Sequence, residues 1–150
     1  MNVYAVQLDI AWEDKATNFV RVRGLLAEAT PGTGSLIVLP EMFATGFSLD
    51  VGAIAEEVGG ETEAFLGEIA RAYASFVIGG VVTRGVDGRG RNEALTMGPS
   101  GELIGRYCKL HPFSFAGEDA HYASGEEVLT VSCGEFVVAP LVCYDLRFCS

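Results

Sequence analysis

Two short, continuously apolar segments constrain the fold of this chain more than any other feature. They are Ser-Leu-Ile-Val-Leu-Pro at residues 35–40 and Phe-Val-Ile-Gly-Gly-Val-Val at residues 76–82. Neither alternates apolar with polar residues, which is typical of strands in a sheet that helices cover. A segment of helical period lies between them at residues 61–74, and another runs from a cap at Asp14 to about Ala29. The pattern therefore predicts an α/β protein.

The remaining segments add strands to a mixed sheet. An opening strand is predicted over residues 3–8, and the glycine-rich turn at residues 85–90 favours a hairpin. Further strands are predicted at residues 91–97, 102–108, 128–131 and 136–142. The order is β-α-β-α-β followed by a hairpin-like set, without an internal repeat or a linker. We therefore expect residues 1–150 to belong to one domain.

The charge and the length of the apolar segments exclude several partners. The net charge of −10 at pH 7 argues against nucleic acid and anionic membranes. The apolar segments are much shorter than the roughly 20 residues that span a bilayer. The first residues also lack the basic and apolar regions of a signal peptide. We predict a cytoplasmic protein that binds neither nucleic acid nor membrane.

The cysteines indicate reduced thiols rather than a disulfide framework. They are Cys108, Cys133, Cys143 and Cys149. No two of them form a C-x-x-C pair, and the histidines are not spaced near them as a zinc site would require. His111 and His121 flank a loop that contains Glu118, so a metal pair there is conceivable but not favoured. We predict no metal and no cofactor.

Three side chains able to carry chemistry share one placement. Glu41, Lys109 and Cys143 each directly follow a predicted strand. In open α/β sheets, ligands bind beyond the carboxyl ends of the strands. Each residue also has a common structural interpretation, since a lone buried thiol usually packs as a small hydrophobe. Three such residues at three strand ends nevertheless favour a shared site.

These three residue types together are sufficient for acyl transfer. A free thiol has a pKa of about 8.5, so it needs help to attack a carbonyl carbon at neutral pH. A carboxylate can accept the thiol proton and return it to a leaving amine. An ammonium group can stabilise both the thiolate and the developing oxyanion. The set predicts a hydrolase that works through a covalent intermediate.

The segments around these residues resemble the nitrilase, or carbon–nitrogen hydrolase, superfamily. Leu-Pro-Glu-Met-Phe at residues 39–43 resembles its glutamate motif, and Arg-Tyr-Cys-Lys-Leu-His at residues 106–111 resembles its lysine motif. Leu-Val-Cys-Tyr-Asp-Leu-Arg-Phe at residues 141–148 resembles its cysteine motif. Three motifs in the family order make the resemblance specific. It implies a nitrilase-like α-β-β-α sandwich with mixed sheets.

The resemblance implies a role for each residue. Cys143 would be the nucleophile, Glu41 the general base and then the acid, and Lys109 the group that stabilises the oxyanion. The backbone N–H of Tyr144 would complete the oxyanion hole. Glu118 would match the family's second glutamate, which supports the lysine and helps position the substrate.

The glutamate and cysteine motifs look most like those of the ω-amidase branch. Members of that branch hydrolyse the terminal amide of short dicarboxylate monoamides, such as 2-oxoglutaramate, and release ammonia. The resemblance implies a small-molecule amide substrate and a homo-oligomer. Asp145 and Arg147 are expected to anchor the turn after the nucleophile rather than to touch substrate.

The resemblance also implies a longer fold. Family members continue beyond the cysteine motif into a helix and a second half, so we expect the domain to be truncated after the nucleophile strand, with part of its pocket missing. Two alternatives to an amidase stay open. One is a catalytically inactive half-domain that only self-associates, and the other is a thiol-redox protein that uses Cys143 with Cys149.

Overall fold

A five-stranded mixed sheet forms the centre of the molecule, in a computed structural model that describes residues 1–148. The strands are β1 (Val3–Ala5), β2 (Leu36–Val38), β3 (Phe76–Arg84), β4 (Gly90–Met97) and β5 (Leu103–Cys108), and they lie in that order across the sheet. β1, β2 and β3 are parallel, whereas β4 is antiparallel to both of its neighbours. The predicted α/β class with a mixed sheet is confirmed.

Four α-helical segments accompany this sheet. They are α1 (Lys15–Ala29), α2 (Val51–Ile54), α3 (Glu61–Tyr73) and α4 (Glu118–His121). Asp14 caps α1 as predicted, because its carboxylate accepts a hydrogen bond from the Thr17 N–H at 3.0 Å. The sequence pattern does not predict α2 and α4, which are single turns. None of the helices within residues 1–148 is long and apolar enough to cross a membrane.

The two faces of the sheet have different coverings. Val77 and Leu95 face α1 and α3 and belong to the larger apolar core. Because strand side chains alternate between faces, Ile78 and Tyr107 point the other way and pack against Val142. The layers therefore run from helices to sheet to a third layer that contains the carboxyl-terminal strands.

Those carboxyl-terminal strands differ from the prediction. β6 (Val131–Cys133) and β7 (Phe136–Val138) pair only with each other, as an antiparallel hairpin. The predicted boundaries at residues 128–131 and 136–142 are therefore wrong. Pro140 has no N–H to donate to a ladder, and the Leu141 N–H donates locally to the Ala139 carbonyl at 3.0 Å. Cys143 consequently follows irregular backbone rather than the end of a strand.

Candidate active site

A buried lysine between two glutamates forms the centre of the candidate site. Lys109 directly follows β5, and its Nζ lies 2.8 Å from Glu41 Oε1 and 2.8 Å from Glu118 Oε2. The Lys109 side chain is 1% exposed, that of Glu118 0% and that of Glu41 19%. Of Lys109 and the two glutamates, Glu41 is therefore the one whose side chain reaches the surface.

A fourth member of this group, Asn92 in β4, is not predicted by the sequence. Its Nδ2 donates hydrogen bonds to Glu41 Oε1 at 2.7 Å and to Glu118 Oε1 at 2.8 Å. Asn92 is 1% exposed. We call Glu41, Asn92, Lys109 and Glu118 the carboxylate–lysine cluster. The alternation of side chains along a strand could have indicated that Asn92 is buried, because Asn92 lies two residues from buried Ala94 on the same face of β4.

The backbone places the two glutamates from different elements. Glu118 begins α4, and its Oε2 also accepts a hydrogen bond from the Phe113 N–H at 2.6 Å. Glu41 lies in the turn that follows β2, where the backbone passes directly over Gly80 of β3. A Cβ added to Gly80 would lie 2.3 Å from the Met42 nitrogen. Only glycine therefore allows this approach of the Glu41 turn to the sheet.

The charges of the cluster support one another. Burial alone would lower the pKa of Lys109, but its hydrogen bonds to Glu118 and Glu41, together with their negative charges, outweigh burial and raise it. Lys109 is therefore an ammonium ion at neutral pH. Its Nζ also lies 5.7 Å from the centre of the Phe47 ring, which adds a cation–π contact.

Cys143 lies beside this cluster with an unusual backbone. Its φ is 50°, a left-handed conformation that residues other than glycine seldom adopt. The residue is exposed on one side. On its other side it lines a cavity of about 100 Å³ that Glu41 and the apolar residues Leu141 and Val142 also line. The structure therefore brings the predicted thiol and the predicted carboxylate to one cavity.

The surroundings keep the Cys143 thiol protonated at rest. Partial burial raises the pKa of the thiol most, and the negative charge of Glu41 raises it further, whereas the positive charge of Lys109 lowers it. A hydrogen bond to Glu41 also favours the thiol over the thiolate. An arrangement of this kind suits a thiol that transfers its proton to a carboxylate as it attacks.

The short 3₁₀ segment Cys143–Phe148, which we call the Cys143 turn, is anchored by Asp145. Asp145 is buried, and its Oδ2 accepts hydrogen bonds from the Tyr107 hydroxyl at 2.7 Å and from the Val142 N–H at 3.1 Å. Its Oδ1 accepts a hydrogen bond from the His111 N–H at 2.9 Å. The expectation that Asp145 anchors this turn is confirmed.

Tyr144 lies in an aromatic group at the mouth of the site. Its ring centre is 5.0 Å from that of Phe113, 6.5 Å from that of Phe115 and 5.3 Å from that of Phe148. These rings meet edge to face, which is a favourable geometry for aromatic pairs. The side chain of Tyr144 therefore helps to shape the surface beside Cys143.

The other predicted thiols and histidines lie apart from this chemistry. Cys108 pairs in register with Glu93, on the sheet face opposite Lys109, as expected from strand alternation. His111 lies with its Nδ1 2.9 Å from an Asp145 oxygen. Within residues 1–148, no three His, Cys, Asp or Glu side chains are arranged to hold a metal ion. Cys149 lies outside the described residues.

The fold and the site together define an α/β protein with a glutamate, a lysine and a cysteine at one edge of a mixed sheet. The chain belongs to the carbon–nitrogen hydrolase family, whose model matches residues 2–149. The predicted resemblance to the nitrilase superfamily is thereby confirmed.

The curated relatives that the chain resembles include ω-amidases. The chain is 36% identical over 146 residues to "Omega-amidase YafV" of Yersinia enterocolitica, a match that covers 95% of this chain and 54% of that protein. It is 27% identical over 151 residues to "Omega-amidase NIT2" of Homo sapiens, again covering 95% and 54%. The chain thus spans about half the length of these relatives.

Solved structures share the fold. A CN-hydrolase superfamily protein, XC1258 from Xanthomonas campestris, whose structure has an arsenic adduct in the active site, is 36% identical and superposes with a TM-score of 0.88. This match covers 97% of the present chain and 54% of that one. Nit3 of Saccharomyces cerevisiae has a TM-score of 0.80 at 24% identity, covering 97% and 56%, and shows the fold alone. The predicted nitrilase-like fold is confirmed.

Proposed function

We propose that this chain carries the reacting groups of an amidase, which hydrolyses the terminal amide of a small carboxylate monoamide through a thioester on Cys143. The observation that carries the proposal is the shared cavity of Cys143 and Glu41, with Lys109 hydrogen-bonded to Glu41 behind it. A thiol, a base and a fixed positive charge are the groups that acyl transfer needs.

In the first half of the proposed reaction, Glu41 takes the proton of the Cys143 thiol as the sulfur attacks the amide carbon. The negative charge that develops on the carbonyl oxygen is stabilised by Lys109 and by the backbone N–H of Tyr144. The carbon–nitrogen bond then breaks, and the leaving nitrogen takes the proton from Glu41 and departs as ammonia. The acyl group stays on sulfur as a thioester.

In the second half, water replaces ammonia. Glu41 takes a proton from the water as its oxygen attacks the thioester carbon, and the same two groups stabilise the oxyanion. The carbon–sulfur bond breaks, and Glu41 returns its proton to the Cys143 sulfur. The product leaves as a carboxylic acid, which loses its remaining proton to solvent. Glu118, which is fully buried against Lys109, supports the lysine through both halves. No metal or cofactor is required by these steps.

The substrate class follows from the relatives rather than from the pocket. Two of the relatives named above are ω-amidases, and one of them shares 36% of its residues with this chain in the matched part. We therefore propose a short dicarboxylate monoamide such as 2-oxoglutaramate. A cytoplasmic location stays a prediction.

Replacement of Cys143 tests this proposal directly. Cys143→Ala should abolish ammonia release from 2-oxoglutaramate, whereas the matched control Cys108→Ala should retain it, because Cys108 faces the other side of the sheet. Iodoacetamide should label Cys143 faster than Cys108, whose thiol has a pKa raised to about 11 by burial and by Glu93. Ammonia release that survives Cys143→Ala would contradict the proposal.

A second candidate function is a self-associating domain without catalysis, and the exposed apolar surface favours it. The large exposed apolar residues of the third layer and the site mouth are Phe115, Val128, Phe136, Val137, Leu146 and Phe148. Apolar patches of this kind mark interfaces in most proteins. Sedimentation should therefore show a homo-oligomer under either function. An oligomer that releases no ammonia from any short amide, with equal labelling of all thiols, would favour this second function.

A further inference from the structure

We propose that Asn92 is a positioning residue that fixes Glu41 so that one carboxylate oxygen stays available to the Cys143 thiol. This inference rests on the proposed function, because it assigns a support to the base of that reaction. It comes from the way the two glutamates of the carboxylate–lysine cluster divide their hydrogen bonds.

Glu118 uses both of its oxygens inside the protein. Its Oε1 accepts from Asn92, and its Oε2 accepts from Lys109 and from the Phe113 N–H. The side chain is completely buried. A carboxylate held at both oxygens has neither oxygen free to exchange a proton with a substrate.

Within residues 1–148, nitrogen donors hold Glu41 at one of its two oxygens. Asn92 and Lys109 both donate to its Oε1, at 2.7 and 2.8 Å. Among the hydrogen bonds of residues 1–148, none from a nitrogen or oxygen donor goes to its Oε2. Because two donors fix Oε1, the direction of the second oxygen is also fixed, and it belongs to the side chain that lines the cavity with Cys143.

Asn92 supports this arrangement from a position that substrate cannot reach. The residue is 1% exposed and lies within β4, and one amide nitrogen spans both glutamates. Asparagine suits the position because its amide donates two hydrogen bonds without adding a charge. The amide oxygen Oδ1 has no hydrogen-bond partner among the described residues, so the nitrogen carries the role of this side chain.

A purely structural role for Asn92 makes a different prediction. A buried polar residue whose loss only destabilises the fold would lower the amount of native protein without changing the chemistry of each folded molecule. A positioning role would change kcat and the pH dependence of the thiol in molecules that are fully folded. The two roles are therefore separated by measurements on each folded active site.

Thr96 offers a matched control on the same strand. It lies on the same face of β4 as Asn92, is 0% exposed, and its Oγ1 has no partner among residues 1–148. Thr96→Val removes that hydroxyl at nearly constant shape, so it tests the loss of a buried polar group from this strand without touching the cluster.

The experiment compares Asn92→Ala, Asn92→Asp and Thr96→Val in the full chain. With 2-oxoglutaramate, Asn92→Ala should lower kcat by about 100-fold with little change in KM, because the base is misplaced while substrate contacts are kept. Asn92→Asp should lower kcat further, since it places a third carboxylate beside Glu41 and Glu118. Thr96→Val should retain the original kcat.

Alkylation of Cys143 tests the inference independently of amidase activity. Iodoacetamide labelling, followed by peptide mass spectrometry, gives the pH at which the Cys143 rate is half-maximal. The Asn92 amide offsets part of the negative charge that opposes the thiolate. Its loss should move this midpoint upward by about one pH unit in Asn92→Ala and further in Asn92→Asp, but not in Thr96→Val.

These outcomes separate the inference from the proposed function. If the unaltered chain releases no ammonia but the alkylation midpoint moves as expected, the amidase proposal fails and the positioning role stands. If ammonia is released and neither kcat nor the midpoint changes in folded Asn92→Ala, the positioning role is wrong. If Asn92→Ala and Asn92→Asp do not fold, Asn92→Ser replaces them, since its hydroxyl is a single donor. Failure of that variant to fold, while Thr96→Val folds, would also overturn the positioning role in favour of a structural one.

Discussion

The carboxylate–lysine cluster and the Cys143 turn are neighbours, yet they are held in opposite ways. The cluster is buried. Asn92 lies within β4, and Lys109 directly follows β5, so both are fixed by strands of the five-stranded sheet. The Cys143 turn is a short 3₁₀ segment with exposed residues, reached through irregular backbone after a separate hairpin. The charged groups therefore have a rigid support, whereas the thiol depends on a few local contacts.

This difference separates the charged groups of the site from its thiol. The charged groups of the cluster are buried and are held by Asn92 of β4 and by one another. The Cys143 thiol, which the proposed reaction requires to meet a substrate from solvent, is exposed, and Asp145 holds its turn in place. Three variants below perturb one of the two regions and have a control outside both, and a fourth comparison sets Cys108 against Cys143.

The largest effect is expected from removing the charge at the centre of the cluster. Lys109→Met leaves Glu41 and Glu118 buried together without their cation, which should lower the free energy of unfolding by about 3–5 kcal/mol. Arg21→Met breaks an exposed ion pair with Asp9 and should cost about 0–1 kcal/mol. Urea unfolding of both variants measures the contrast. Equal losses of unfolding free energy in the two variants would show that the buried cluster contributes no more to stability than the exposed Arg21–Asp9 pair.

Loosening the Cys143 turn should have the next largest effect. Asp145→Asn removes the charge that accepts hydrogen bonds from Tyr107, Val142 and His111, at a cost of about 1–3 kcal/mol. Because the turn then moves Cys143 away from Glu41, the rate of iodoacetamide labelling of Cys143 should change. Ammonia release should fall. Asp119→Asn, on the exposed side of α4, is the control. Unfolding curves and labelling rates that match those of Asp119→Asn would mean that Asp145 does not hold the turn.

An effect of similar size is expected where the Glu41 turn crosses the sheet. Gly80→Ala places a methyl group against the Met42 nitrogen and should cost about 1–3 kcal/mol by overpacking. Because the displaced backbone carries Glu41, ammonia release should fall as well. Gly24→Ala in α1, where a Cβ meets nothing within 4 Å, should instead stabilise by about 0.5–1 kcal/mol. Thermal unfolding that ranks the two variants in the other order would be inconsistent with this close approach.

The smallest effect concerns alkaline stability. The Cys108 thiol has a pKa of about 11 in the folded chain, chiefly because of burial and then of Glu93, against about 8.5 when unfolded. The unfolded chain therefore loses this proton first, and stability that is fully present below about pH 8.5 is lost as the pH rises towards 11. Cys108→Ala should flatten that decline in urea unfolding between these values. Cys143→Ala should flatten it less, and a larger effect from Cys143 would reverse our comparison of the two thiols.

The sequence predicts the sheet side of this comparison better than the thiol side. Glu41 follows a short apolar segment and Lys109 a partly alternating one, and these patterns indicate both the strand and the edge at which it ends. The burial of Asn92 is not predicted in this way, because a polar residue after the glycine-rich turn is also typical of an exposed hairpin. Its burial depends on Glu41 and Glu118, which reach it from distant parts of the chain.

The Cys143 turn is harder to predict for a different reason. The apolar segment before it continues past Val138, but the ladder stops there because Pro140 cannot donate and Leu141 bonds locally. The left-handed backbone of Cys143 has no local signal either, since cysteine has no preference for it. It depends on the contacts of Asp145, which are tertiary.

Tyr107 and Lys109 are two residues apart on one face of the chain. Through them, the same short segment holds both the Cys143 turn and the carboxylate–lysine cluster. The Tyr107 hydroxyl meets Asp145, while the Lys109 ammonium group meets Glu41. The distance between the two regions is thus set within a single short stretch, not by the chain that connects them. Insertions at the exposed turn of residues 134–135, between β6 and β7, should be tolerated without moving the thiol relative to the lysine. A designer who moves this site into another protein would therefore need at least residues 107–109 together with their hydrogen-bond acceptors, Asp145 and Glu41.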